Sequence, residues 1–191
     1  MINTHRFERA GLPVRPWKNG GGVTREIVSW PVGSSVRDFD WRVSIAHIAS
    51  SGAFSTFPGV DRVITLLEGS GVKLHSVDNT VNHRLDQPMR PFAFAGDKPV
   101  QANLLGPDCH DFNVMTRRAV CSASVQVISG NTALPTPAQG LFFCNSGHWL
   151  VNAHKLALGE GLWWHDSPRI WTLKPDSEQA SLLAVLIQAT Q

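Results

Sequence analysis

The sequence predicts a nearly all-β protein built from two similar β units, and three observations carry that prediction. Short runs rich in Val, Ile, Phe, Trp and Thr recur along the 191 residues. Turn formers interrupt these runs at close intervals, with 16 Gly and 12 Pro spread through the chain. A stretch of the first half also has a counterpart in the second. Short strands punctuated so regularly argue for a sandwich or barrel rather than alternating βα units.

The clearest strand runs are Trp41–Ala49, Val63–Glu68, Val72–Val77, Phe112–Thr116, Val125–Ile128 and Leu182–Gln188. No long amphipathic helix has room between the Gly and Pro residues. Ala180–Ile187 can be read as a helix, but its Leu-Leu-Ala-Val-Leu-Ile run suits a buried strand equally. The duplication aligns Leu66–Leu74 with Phe142–Leu150: in each, an apolar strand meets a small-residue hairpin turn and a second strand returns. Asp97-Lys98-Pro99 and Asp166-Ser167-Pro168 follow at a similar remove. The expected division is 1–118 and 119–191, with strands open to exchange between the two. Thr132–Gln139, which carries Pro135 and Pro137, is the expected joint between strands.

Composition excludes several function classes. With 42% hydrophobic and 17% charged residues the chain is globular. Its net charge of +2, from 17 Lys and Arg against 15 Asp and Glu, leaves no footprint for nucleic acid or an acidic membrane. No run approaches the ~20 apolar residues of a membrane span, and Met1–Arg6 lacks the apolar stretch of a secretory signal. Cys109, Cys121 and Cys144 are odd in number and widely spaced, which predicts reduced, buried thiols and a cytoplasmic setting.

Familiar catalytic motifs are missing: Gly-x-Ser-x-Gly, His-Glu-x-x-His, Cys-x-x-Cys and the Walker lysine. Gly20-Gly21-Gly22 lacks the Lys-Ser/Thr pair of a phosphate loop, so it reads as a turn where backbone passes close to a neighbour. The eight histidines are spaced too loosely to ligate a metal from one strand, and His110 diverges from Asp111.

The informative signal is where polar side chains fall on strands. Period-2 geometry sets Trp41, Val43 and Ile45 on one face and Arg42 and Ser44 on the other. Asp111, Asn113, Met115 and Arg117 oppose Phe112 and Val114, Thr24 and Glu26 share a face, and Arg62 opens an apolar strand. A half-exposed antiparallel sheet would simply leave these faces in water. Its exposed face, however, would collect Lys, Glu and Thr freely, whereas Arg recurs here beside Asn, Asp and Ser. Arginine's planar fork binds a carboxylate through two parallel hydrogen bonds. Of the seven tryptophans, Trp17, Trp41 and Trp171 are expected in core or pocket wall.

Five stretches resemble the HutD/Ves family of bacterial cupin-like proteins. They are Trp17–Ile27, Phe39–Ala46, Gly52–Arg62, Leu66–Gly69, and Pro91–Asp97 taken with Asp111–Arg117. The resemblance runs from Trp17 to about Leu186 and is looser in the C-terminal half. It implies an all-β bicupin, two cupin-like barrels in one chain, and an accessory or regulatory role in histidine utilisation. It also implies a ligand set of Trp17, Asn19, Thr24, Glu26, Arg42, Ser44, Arg62, Asp111, Asn113 and Arg117, which overlaps the polar faces above. Registered on Leu67-Glu68-Gly69, the metal-cupin pattern places Thr56, Pro58 and Arg62 at the first ligand positions, and none of these ligates a transition metal.

The expected function is therefore metal-free and cofactor-free binding of a small carboxylate, with urocanate or formylglutamate suggested by the family. The alternative is a metal-independent isomerase or hydrolase using Glu26 or Asp111 as general base. Neither nucleic acid nor membrane is an expected partner, and self-association as a homodimer is left open. The site is expected in the first barrel. The second, rich in Phe142, Phe143, Trp149, Trp163, Trp164 and Trp171, is expected to be plugged by its own side chains.

Overall fold

The computed structural model describes residues 3–190. Strands dominate, and the helical element among the described residues is a single 3-10 turn, Arg9–Gly11. Among the described residues no helix is long and apolar enough to cross a membrane. The chain separates into two compact units, Pro13–Ser122 with Thr190, and the N-terminal residues through Leu12 with Ala123–Ala189. The expectation had residues 1–118 together, but Thr4–Glu8 pairs antiparallel with Glu160–Trp164 and so belongs to the same unit as that strand. Nothing in the composition of Thr-His-Arg-Phe-Glu announces that long-range pairing.

The Pro13–Ser122 unit holds two sheets. The larger is ordered Val14–Pro16, Gly22–Trp30, Trp41–Ile48, Cys109–Arg117, Val60–Gly69, Phe92–Ala95. The smaller is ordered Gly52–Ala53, Val100–Leu104, Val72–Ser76, Asn82–Leu85. One apolar cluster, including Ile48, Ile64, Leu66, Val72, Leu74, Val100 and Cys109, fills the space at one end of the long strands. Phe39, Val60 and Met115, backed by Phe57, form a second cluster.

The other unit repeats the plan. Its five-stranded sheet is ordered Thr4–Glu8, Glu160–Trp164, Gln139–Ser146, Ser181–Ala189, Cys121–Ile128. Its four-stranded sheet is ordered Thr132–Thr136, Arg169–Pro175, His148–Val151, His154–Ala157. Two expectations resolve here. The ambiguous Ala180–Ile187 run is strand, because Leu182, Ala184 and Leu186 pack into the core while the backbone pairs with Gln139–Ser146. Thr132–Gln139 is not a joint: Thr132–Thr136 pairs with Arg169–Pro175, and Pro135 is tolerated because this strand lies at a sheet edge.

All three cysteines are free and buried. Burial pushes the thiols up, to about 12 at Cys109 and about 11 at Cys121 and Cys144, so none is a ready nucleophile.

Candidate functional site

Three adjacent long strands of the Pro13–Ser122 unit set the site by register. Met115 lies opposite Arg42 on one side and Arg62 on the other, and Arg62 in turn faces Phe94. The next row along the strands reads Ser44, Asn113, Ile64, and the one after it Ala46, Asp111, Leu66. Strands sit ~4.8 Å apart, so the two arginines leave the sheet ~10 Å from each other across Met115. The same face that carries these groups becomes apolar at the following row, Ile48 and Cys109.

A cavity of about 480 Å³ opens over these rows. Arg42, Ser44, Arg62, Asp111, Asn113 and Met115 line it from the sheet, and Trp17, Asn19 and Thr24 line it from the preceding turn and strand. Gly22 permits this arrangement: a Cβ there would collide with the His47 carbonyl and press on the Trp17 ring. Trp17 lies over the strand as a result, its Nε1 donating to Thr24 Oγ1 at 2.7 Å. Asn19 Oδ1 accepts from the Gly21 amide at 3.0 Å, closing the tight turn.

The two guanidiniums are held differently. Arg42 Nε donates to Glu26 Oε2 at 2.7 Å, and its Nη1 reaches Met115 Sδ at 3.9 Å. Arg62, only 7% exposed, donates through Nε and Nη2 to Asn113 Oδ1, each at 3.3 Å. Phenyl rings surround it, with Phe54 at 5.0 Å, Phe94 at 5.1 Å and Phe57 at 6.0 Å from the guanidinium carbon, a favourable setting for a cation. Arg42 Nη2 and Arg62 Nη1 donate to no protein acceptor among the described residues. Burial lowers the Arg62 guanidinium to about 10, opposed by Asp111 and reinforced by Arg42, so it stays charged at neutral pH.

Asp111 completes the floor. It is 2% exposed, and its Oδ1 has no hydrogen-bond partner among the described residues. Burial pushes its carboxyl up to about 7, opposed by the charge of Arg62 and by the Ala46 backbone N–H.

Eight of the ten expected ligand residues therefore meet in one cavity: Trp17, Asn19, Thr24, Arg42, Ser44, Arg62, Asp111 and Asn113. Two do not line it. Glu26 stands behind Arg42 as its counter-ion. Arg117 shares the strand face of Asp111, Asn113 and Met115 but lies at the strand end, where its Nε donates to the Phe39 carbonyl at 3.0 Å and its Nη2 to the Arg37 carbonyl at 2.9 Å. It anchors the segment before Asp40 and is not a cavity cation. The sequence reading missed Phe54 and Phe57, which wall the cavity from a loop tied down by Phe54 N–H to Val100 O and Phe57 N–H to Gly96 O. Alternation within strands could not find residues on a loop. Among the described residues no group of three or more His, Cys, Asp or Glu is placed to hold a metal ion.

The chain is similar to several known proteins. Protein Ves of Citrobacter koseri is 44% identical over 174 residues, covering 90% of this chain and 89% of that protein. Protein Ves of Escherichia fergusonii is 42% identical over 161 residues, covering 84% and 82%. The structure of HutD from Pseudomonas fluorescens SBW25 superposes with a TM-score of 0.86 at 29% identity, covering 98% of this chain and all of that one. Similarity of fold extends to Escherichia coli YhhW, a bacterial pirin solved with nickel(II), with a TM-score of 0.64 at 10% identity. At that identity the likeness speaks for the cupin fold alone. The HutD family model matches residues 9–183, and the chain belongs to the HutD family.

Proposed function

We propose that this chain captures a small carboxylate in the cavity of its Pro13–Ser122 unit, as an accessory or regulatory component of histidine utilisation in the cytoplasm. One observation carries the reading: two buried guanidiniums, Arg42 and Arg62, face one cavity and each keeps a nitrogen that no protein acceptor among the described residues uses. A buried cation left with spare donors is stabilised when an anion completes it. The cavity size, about 480 Å³, falls in the range of small-molecule sites. Its walls suit a carboxylate with a short body: Asn113 and Ser44 orient oxygens, while Trp17, Phe54 and Phe57 supply apolar surface. The Thr56, Pro58 and Arg62 side chains at the cupin metal positions fit a metal-free site.

The test is calorimetric titration of the native chain with formylglutamate and urocanate, with histamine as a cationic control. Saturable heat for either acid and none for the amine supports the reading; heat for the amine alone overturns it. A second reading, a metal-independent isomerase or hydrolase, has one observation in its favour. Asp111, at about 7, titrates where a general acid or base works best. Proton NMR of each acid after long incubation with the protein separates the two, since capture leaves both spectra unchanged.

A further inference from the structure

Asp111 is an unusual group to find under a carboxylate site. An anion at that position opposes the binding of another anion, so its presence demands a physical role. A structural counter-ion in direct contact with an arginine is the first candidate, but the geometry rejects that contact. Arg62 directs two nitrogens at Asn113 and Arg42 directs one at Glu26, and neither lies within 4.0 Å of an Asp111 oxygen. Asp111 Oδ1 is buried with no hydrogen-bond partner among the described residues. Glu26 shows what a committed counter-ion looks like in this unit: 2.7 Å from Arg42 and outside the cavity lining. Asp111 is inside that lining and free of such a contact.

We propose that Asp111 sits in the cavity as a neutral carboxylic acid that donates its O–H to an oxygen of the captured carboxylate, so that capture is coupled to uptake of one proton. This inference rests on the proposed carboxylate site. An ionised Asp111 beside a bound carboxylate would set two like charges in a desolvated space, which raises the affinity of the pair for a single shared proton. The protonated form converts that repulsion into a short charge-assisted hydrogen bond. It also leaves the uncommitted nitrogens, Arg62 Nη1 and Arg42 Nη2, to the ligand. Asp111 thereby makes the site selective for anions that accept a hydrogen bond, and more retentive at lower pH.

The surrounding charges allow this. On the cavity face, the Trp41–Ile48 strand presents Arg42, the Val60–Gly69 strand presents Arg62, the Gly22–Trp30 strand contributes Glu26 behind Arg42, and the exposed Lys18 lies at the lining. On Asp111's own strand the neighbour is Cys109, whose thiol is raised to about 12 and does not compete for the proton. His47 and His110, stacked at 4.5 Å, lie on the opposite strand face. Asp111's own carboxyl is raised to about 7 before any ligand is present, so a bound anion need only extend a tendency already there.

The experiment is calorimetry of the native chain with formylglutamate, whose carboxyls stay ionised through the range tested, in buffers of different ionisation enthalpy. Uptake should rise from almost none at about pH 5.5 to about one proton per chain at about pH 8.5, with affinity falling about tenfold per pH unit above the Asp111 titration. Asp111→Asn, which keeps a donor but cannot titrate, should bind with no proton uptake and no pH slope. Binding by the native chain with no uptake, or uptake that persists in Asp111→Asn, overturns the inference while leaving the carboxylate site intact. Should the variant fail to fold, the native chain's uptake still decides. Absence of any binding to formylglutamate or urocanate overturns the site and the inference together.

Discussion

The two units share a plan and differ in what their strands turn inward. In the Pro13–Ser122 unit the central rows read Arg42, Met115, Arg62 and then Ser44, Asn113, Ile64. In the other unit two central rows read Leu162, Phe142, Ala184 and Trp164, Gly140, Leu186. Trp149, Trp164 and Trp171 are each at most 1% exposed, and Phe142 packs edge-on to Trp171 at 5.5 Å. Gly140 is part of that plug, because a Cβ there would run into the Trp164 ring. The difference teaches that this architecture does not determine whether a barrel keeps a cavity. Inward bulk without polarity gives a core, while inward arginine with spare donors gives a cavity.

If that contrast is right, damage to the plug and damage to the cavity should have separable consequences. The largest effect is expected from Trp171→Ala, which should cost about 3–5 kcal/mol of stability in denaturant unfolding. Carboxylate affinity measured below the unfolding transition should remain, since no cavity residue belongs to that unit. Loss of binding in a folded Trp171→Ala protein would erase the distinction between the units.

Arg62→Met should do the reverse. Methionine suits the phenyl surroundings of Phe54, Phe57 and Phe94, so thermal stability should hold. Affinity for formylglutamate should fall by about 2–5 kcal/mol, the cost of removing one charge-assisted partner of a desolvated carboxylate. Unchanged calorimetry would place the site elsewhere.

The third effect is one of pH. Asp111 is raised from 3.8 to about 7, so the folded state holds a proton that the unfolded chain releases. Stability without ligand should fall as pH rises from about 4 to about 7, by on the order of 3 kcal/mol, and then level off as far as this group is concerned. Asp111→Asn should remove that fall in urea midpoints taken across the range; an identical pH dependence in the variant would contradict the assignment.

Much of this was legible beforehand. Alternation along Trp41–Ile48 and Cys109–Arg117 was enough to set Arg42, Ser44, Asp111 and Asn113 on one kind of face. The tryptophans of the second half foretold its filled interior. Alternation does not report register, however, and register separates Met115, opposite both arginines, from Arg117, opposite Val60 at the strand end. Nor does it report partners: Glu26 and Asp111 look equivalent in sequence, yet one is fastened to Arg42 and the other makes no salt bridge among the described residues. The strand at Thr132–Thr136 was hidden by its proline, and the pairing of Thr4–Glu8 by its distance along the chain from Glu160–Trp164.

The smallest effect is expected from Ser44→Ala, which should weaken carboxylate binding by about 1 kcal/mol, the net value of one neutral hydrogen bond, without moving the thermal midpoint. A loss as large as that of Arg62→Met would mean that the arginines do not dominate the cavity.

The most direct test of the account is to locate the bound acid. A crystal of the chain soaked with formylglutamate should show its carboxylate within hydrogen-bond reach of Arg42 Nη2 and Arg62 Nη1, with Asp111 against one carboxylate oxygen and the body of the molecule beside Trp17 and Phe54. Density lodged instead among Trp149, Trp163 and His165, with Arg42 and Arg62 unmoved, would contradict it.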